Sequence, residues 1–189
     1  MIDAPKKRLF VAIGLPREVQ QKLEEMQTQL KRFARDAKWV KVAGIHLTLK
    51  FLGYVEPSRI QTIYETLRPI AFATSSIPIE VFGCGFFPNP QRPNVLWTGV
   101  RAKELAPLQQ HVEDAMATLG FEKEKRPFSP HLTLARFRDP RGWLPLVQET
   151  QKWMEVSFGA FVASGFSLYE SILHRQGAEY HTVETFRLK

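Results

Sequence analysis

The chain has 189 residues, 44% apolar and 24% charged, which is enough to bury a sizeable core and rules out wholesale disorder. Its 26 Lys and Arg against 19 Asp and Glu leave a net charge of +7, a balance that favours polyanionic partners such as nucleic acid or phosphorylated metabolites. Cys84 is the only cysteine, which excludes an intramolecular disulfide and a thiolate metal cluster, and no apolar run approaches the ~18 residues of a membrane-spanning helix.

Taken in chain order, the first predicted element is a strand, Leu9-Phe-Val-Ala-Ile13, closed by Gly14. That apolar run is too short for a secretion signal, so the expectation is a cytoplasmic protein. Val19, Leu23, Met26, Leu30 and Phe33 then recur with helical spacing, with Pro16 suited to the first turn. His46-Leu-Thr-Leu-Lys-Phe51 predicts a second strand, and Ile60, Ile63, Leu67 and Ile70 a second helix. A strand containing Gly85-Phe86 precedes Phe87 to Asn94, whose three prolines make a stiff connector. The order then starts again. Val95-Leu-Trp-Thr98 closes on Gly99, and Leu105, Leu108, Val112, Ala115 and Leu119 form a helical stripe stopped by Gly120. His131-Leu-Thr-Leu134 is the next strand, and Trp143, Val147, Thr150 and Met154 give a weaker helical stripe. A strand with Gly165-Phe166 and another near Tyr180 to Leu188 complete the chain.

His-Leu-Thr-Leu thus occurs at 46–49 and 131–134, an offset of 85, and a Gly lies 32 residues before each His. A period this long is no solenoid. It predicts an α+β fold with a pseudo-twofold: a bilobal molecule whose two antiparallel-type sheets, with outer helices, face each other across a central groove. No Gly/Ser linker separates the halves, so residues 1–189 are read as one bilobal domain with an internal repeat at about 8–87 and 94–188.

On a strand, residues i and i+2 share a face. His46, Thr48 and Lys50 therefore fall on one face and Leu47, Leu49 and Phe51 on the other, while His131 and Thr133 pair likewise. A twofold would bring two imidazoles and two hydroxyls to one point. That set suits an in-line displacement at phosphorus, with one neutral imidazole as base, one imidazolium as acid, and the hydroxyls holding non-bridging oxygens. Histidine populates both forms near neutral pH, and the sequence offers no metal-ligand cluster and calls for no cofactor. His111 within the third helix, His174 in a polar turn and His181 in the last strand beside Tyr180 read as surface residues.

These segments resemble the two-histidine (2H) phosphoesterases, and within them the RNA 2′,3′-cyclic phosphodiesterase family, formerly called 2′-5′ RNA ligases. The matching stretches are Arg8 to Pro16, His46 to Gly53, Arg92 to Gly99, Pro130 to Arg136, Leu168 to Leu173 and Gly177 to Tyr180. One departure is Val42-Ala-Gly44, where the family has a Pro-Glu-Asn-like turn. Gly44 can adopt the left-handed conformation that Asn tolerates, so the strand entry is expected to survive.

The resemblance implies metal-independent hydrolysis of 2′,3′-cyclic phosphate ends to 2′-phosphomonoesters. By the same resemblance His46 is the general acid and His131 the general base, Thr48 and Thr133 hold the phosphate, and Arg136 binds it. Strict alternation would turn Arg136 away from His131, so it must reach round at the strand end or at a bulge. Phe10 and Trp97, read as equivalent repeat positions, are candidates for stacking on a base, with core packing the alternative. The expected partners are RNA with 2′,3′-cyclic phosphate ends, including tRNA fragments, or small cyclic nucleotides, acted on by a monomer without a membrane. A 2′-5′ ligase or 2′-5′ linkage-cleaving activity at the same site, and a non-catalytic RNA- or nucleotide-binding module, are the alternatives.

Overall fold

The computed structural model describes residues 4–139, 142–174 and 177–189. Its elements, in order, are β1 (Lys7–Gly14), α1 (Arg17–Leu30), β2 (Lys38–Trp39), β3 (His46–Val55), α2 (Ile60–Ala73), β4 (Ile77–Phe87), β5 (Val95–Arg101), α3 (Leu105–Thr118), β6 (His131–Arg136), α4 (Leu144–Thr150), β7 (Ser157–Ala163), β8 (Gly165–His174) and β9 (Gly177–Arg187). Several details differ from the sequence pattern, among them the short strand β2 and Leu119, which lies just beyond α3. Strand β7 has no counterpart in it, because Val162 is 62% exposed and blurs the strand's alternation. Phe33 falls in a 3-10 turn beyond α1 and is 41% exposed, so it leaves the buried stripe. Helix α4 is only seven residues long and buries Leu146 and Thr150, while Met154 lies beyond it, 55% exposed.

The strands run β7-β4-β5-β6-β3-β1-β8-β9, with β2 pairing to β6. All the pairings are antiparallel. The two halves of this order meet at β3 and β6 through a single residue pair, Leu47 with Leu132. The two expected sheets are therefore joined by a seam into one curled sheet. Sequence and space do not divide the chain alike: β4 follows α2 yet pairs with β5 and β7, and β8 follows β7 yet pairs with β1 and β9. The first half of the repeat lends β4 to the second, and the second lends β8, with β9 outside it, to the first.

One face of the sheet is apolar. Leu9, Val11, Ile13, Leu47, Leu49, Leu132 and Leu134 join the buried residues of the helices in a single cluster. Helix α3 packs on β3 and α2, α2 also on β9, and α1 on β7. The histidines occupy the opposite face.

Two matching β-bulges decide which residues beside the histidines reach that face. A further shift on β3, from Phe10–Phe51 to Leu9–Gly53, leaves Leu52 extra beyond them. The β1–β3 register passes from Val11–Lys50 to Ala12–Thr48, leaving Leu49 as the extra residue. The β5–β6 register passes from Leu96–Ala135 to Trp97–Thr133, leaving Leu134 extra. The two sites are 85 residues apart, so the bulge is part of the repeat. A bulge shifts the alternation by one. His46 and Thr48 are half-buried, Leu47, Leu49 and Lys50 are buried, and Phe51 is exposed; His131 to Arg136 repeat that sequence of classes. The freed carbonyls are met by buried glutamines, Gln27 Nε2 donating to Leu134 O at 3.1 Å and Gln109 Nε2 to Leu49 O at 3.4 Å.

The bulge overturns the expected placement of Lys50 and Phe51. Lys50 faces the helices at 5% exposure, where Nζ lies 2.5 Å from Glu113 Oε1 and donates to Glu122 O at 2.8 Å. Phe51, expected in the core, is 56% exposed on the histidine side.

Candidate active site

Strands β3 and β6 adjoin, and the Leu47–Leu132 pair fixes their register. Continued by one residue in each direction, that register sets His46 opposite Thr133 and Thr48 opposite His131. All four lie on the face opposite the buried leucines. Arg136 lies close enough to both imidazoles to influence each electrostatically. The bulge at Leu134 is what turns it to this side.

Each ring is oriented in the same way. His46 Nδ1 donates to Gly44 O at 2.8 Å, and His131 Nδ1 donates to Ser129 O at 2.7 Å. A carbonyl only accepts, so Nδ1 carries the proton and Nε2 is the nitrogen left for chemistry. Among the described residues, neither Nε2 nor the Thr48 and Thr133 hydroxyls have a protein hydrogen-bond partner. The strand does begin at His46 as expected, but Gly44 is not left-handed: it closes a 3-10 turn, Val42–Gly44, with negative φ. What its missing side chain provides is room, since a Cβ there would sit 3.1 Å from the Tyr180 ring.

Aromatic rings hold the imidazoles in place. His46 lies 4.6 Å from Phe10 and 4.9 Å, edge-on, from Tyr180, and Phe10 stacks on Tyr169 at 5.3 Å. His131 meets Phe87 edge-on at 5.0 Å. Phe10 is 1% exposed, so it is a support beneath His46 and has no face free for a base. Trp97 is half-buried, lies 5.2 Å from Phe87 and covers Gly85, where a Cβ would come 2.5 Å from its ring. Nor are the two positions equivalent, because Phe10 faces Phe51 whereas Trp97 faces Thr133 and so corresponds to Ala12. The open aromatic nearest the histidines on this face is Phe51, 56% exposed. Sequence alternation hid it, and only the repeat of the bulge, which matches it to Arg136, could have revealed it.

Both histidines have pKa values lowered from 6.5. For each the main cause is burial, partly opposed by the carbonyl hydrogen bond and reinforced by the Arg136 charge, with Arg126 adding to the effect on His131. The neutral forms are thus favoured in the free protein, and an anion bound between them would favour protonation. Among the described residues no group of three or more His, Cys, Asp or Glu is placed to hold a metal ion.

The face thus presents a half-buried pair of imidazoles, each with Nε2 free and a threonine hydroxyl on the same side. Comparison with known proteins identifies the lineage of the chain. The model of the family described as LigT like Phosphoesterase matches residues 13–97 and 100–180. The RNA 2′,3′-cyclic phosphodiesterase of Aeropyrum pernix is 38% identical over 148 residues, covering 77% of this chain and 83% of that protein. The protein of the same name from Methanothermobacter thermautotrophicus is 32% identical over 184 residues, covering 97% and 100%. The crystal structure of TT0787 of Thermus thermophilus superposes with a TM-score of 0.82 at 30% identity, covering 96% and 97% of the two chains. E. coli LigT complexed with 3′-AMP shares the fold, with a TM-score of 0.79 at 24% identity over 97% and 98%. The chain belongs to the LigT-like phosphoesterases of the 2H superfamily, and it is an enzyme.

Proposed function

We propose that this chain hydrolyses the 2′,3′-cyclic phosphate at RNA ends to a 2′-phosphomonoester. The reading is carried by the matched pair of imidazoles, each with Nδ1 committed to a carbonyl two residues earlier and Nε2 free beside a threonine hydroxyl. The names of its relatives agree with it. The cyclic phosphate lies between the two strands. Thr48 and Thr133 donate to its non-bridging oxygens, and Arg136 offsets their charge. His131 Nε2 takes a proton from water as the water oxygen bonds to phosphorus. The P–O3′ bond breaks on the opposite side, and protonated His46 Nε2 gives its proton to O3′. The two rings end with exchanged protonation states and recover through solvent. Lowered pKa values keep His131 a base at neutral pH, and the bound phosphate anion restores the proton on His46.

The test is a short RNA with a 2′,3′-cyclic phosphate end, incubated with purified protein in EDTA. Wild type is expected to yield a 2′-phosphate, with His46→Ala and His131→Ala each slower by about 10³-fold. A 3′-phosphate product would reverse the assignment of leaving group, and full activity in either variant would remove that histidine from the chemistry.

A further inference from the structure

The histidine face extends along β1, away from the seam, to features that the hydrolysis above does not use. Strand β1 alternates without interruption, with Leu9, Val11 and Ile13 in the core and Arg8, Phe10 and Ala12 on the other side. Its partners on β3 are Ala12–Thr48, Phe10–Phe51 and Arg8–Tyr54. Antiparallel partners point to the same side of a sheet. Thr48, Phe51 and Tyr54 therefore step outward in a line from the catalytic pair, with Phe51 56% and Tyr54 67% exposed.

Arg8 sits beside Tyr54 and is half-buried. Its Nη1 donates to Ser171 Oγ at 3.1 Å, and Ser171 is 4% exposed. The flanking carboxylates are already engaged, Glu170 with Lys7 at 2.6 Å and Glu56 with Lys6 at 3.0 Å. Among the described residues Arg8 meets no carboxylate, only a neutral hydroxyl. A partly buried guanidinium held in place without a counter-charge, next to an open aromatic ring, has the two parts of a single-strand nucleotide site: a cation for the backbone and a ring for the base. Four residues of β1 separate Arg8 from the level of Thr48, about 13 Å of strand, and Phe51 lies between them.

We propose that Arg8 and Tyr54 form a second nucleotide subsite. Tyr54 stacks on the base upstream of the terminal nucleotide, and Arg8, steadied by Ser171, binds the phosphodiester that joins the two nucleotides. The proposal rests on the phosphodiesterase reading and deepens it: the substrate is an RNA strand of at least two nucleotides, read from its cyclic end inward. A mononucleoside cyclic phosphate fills only the catalytic half.

The experiment compares kcat/KM for three substrates: a mononucleoside 2′,3′-cyclic phosphate, a dinucleotide ending in the same group, and that dinucleotide with a neutral methylphosphonate internal linkage. Wild type is expected to favour the natural dinucleotide over the mononucleotide by about tenfold, through KM. Arg8→Gln and the neutral linkage each remove the part of that preference due to charge, and combining them removes no more. Arg8→Lys retains part of it, and Tyr54→Ala weakens both dinucleotides alike. The mononucleotide rate, unchanged in all variants, reports that the catalytic centre is folded. Equal treatment of mononucleotide and dinucleotide by wild type would overturn the subsite alone, as would an Arg8→Gln variant that slows both by the same factor. Failure of wild type to open any of the three would instead overturn the phosphodiesterase reading beneath it.

Discussion

Arg136 carries the sharpest consequence at the scale of single residues. Its charge helps to hold both imidazoles below their ordinary pKa, so removing it raises both. Arg136→Gln is expected to lower kcat by about 100-fold, as one lost electrostatic contact to the transition state does. It should also move the acidic limb of the kcat/KM profile to higher pH, because the base then holds its proton longer. A uniform loss of rate with unmoved limbs would mean that Arg136 does not act on the histidines. Stability follows the same shifts. Both folded-state pKa values lie below the unfolded 6.5, so the unfolded chain binds more protons once the pH drops under that value. The contribution is intact above pH 6.5 and is lost as the pH falls toward the folded values. The melting temperature should therefore decline on acidification in this window, and less so in a His46→Ala, His131→Ala double variant.

At the scale of elements, the histidine strands show what a sequence can and cannot disclose. The His-Leu-Thr-Leu repeat, the paired glycines and the four helices were legible, because each rests on local periodicity or on a repeated word. The bulges were not. Leu49 and Leu134 carry no glycine or other local mark, and their carbonyls are met by Gln27 and Gln109 from helices far away in sequence. Alternation therefore placed Lys50 on the wrong side and concealed Phe51, whereas Arg136 could only be placed by allowing for a bulge. Once turned inward, Lys50 makes a buried ion pair with Glu113, whose Oε1 also accepts from Glu124 N at 2.9 Å. With Lys50 Nζ also donating to Glu122 O, the pair ties β3 and α3 to the segment leading to His131. Breaking one partner leaves an unpaired buried charge. Lys50→Met and Glu113→Leu are each expected to cost about 3–5 kcal/mol, and the double change far less than their sum. Urea unfolding of the three variants gives the comparison, and additive losses would refute the coupling.

For the whole molecule, composition and repeat were enough to suggest the bilobal α+β plan, but not the exchange of β4 and β8, which depends on contacts between distant segments. We infer from that exchange that the chain unfolds as one unit. The residues provide their own reporters. Trp39, Trp97, Trp143 and Trp153 lie on or beside β4 to β7, and Tyr54, Tyr64, Tyr169 and Tyr180 on or against β1, β3, β8 and β9. Tryptophan emission and tyrosine near-ultraviolet dichroism should therefore give coincident denaturation curves. Separate midpoints would show that the halves are independent.

The lent strands also govern how the protein comes into being on the ribosome. Synthesis delivers β1 and β3 early, but the second neighbour of β1 is β8, and the Tyr169 and Tyr180 rings around Phe10 and His46 arrive only with β8 and β9. Until then the nascent chain carries an unpaired strand edge and an unsupported imidazole. Long-range pairing of this kind is slow and exposed to aggregation. An N-terminal nascent fragment would therefore be inert and dependent on protection, and hydrolytic competence would arise in one late step, only after residues 165–187 have left the exit tunnel.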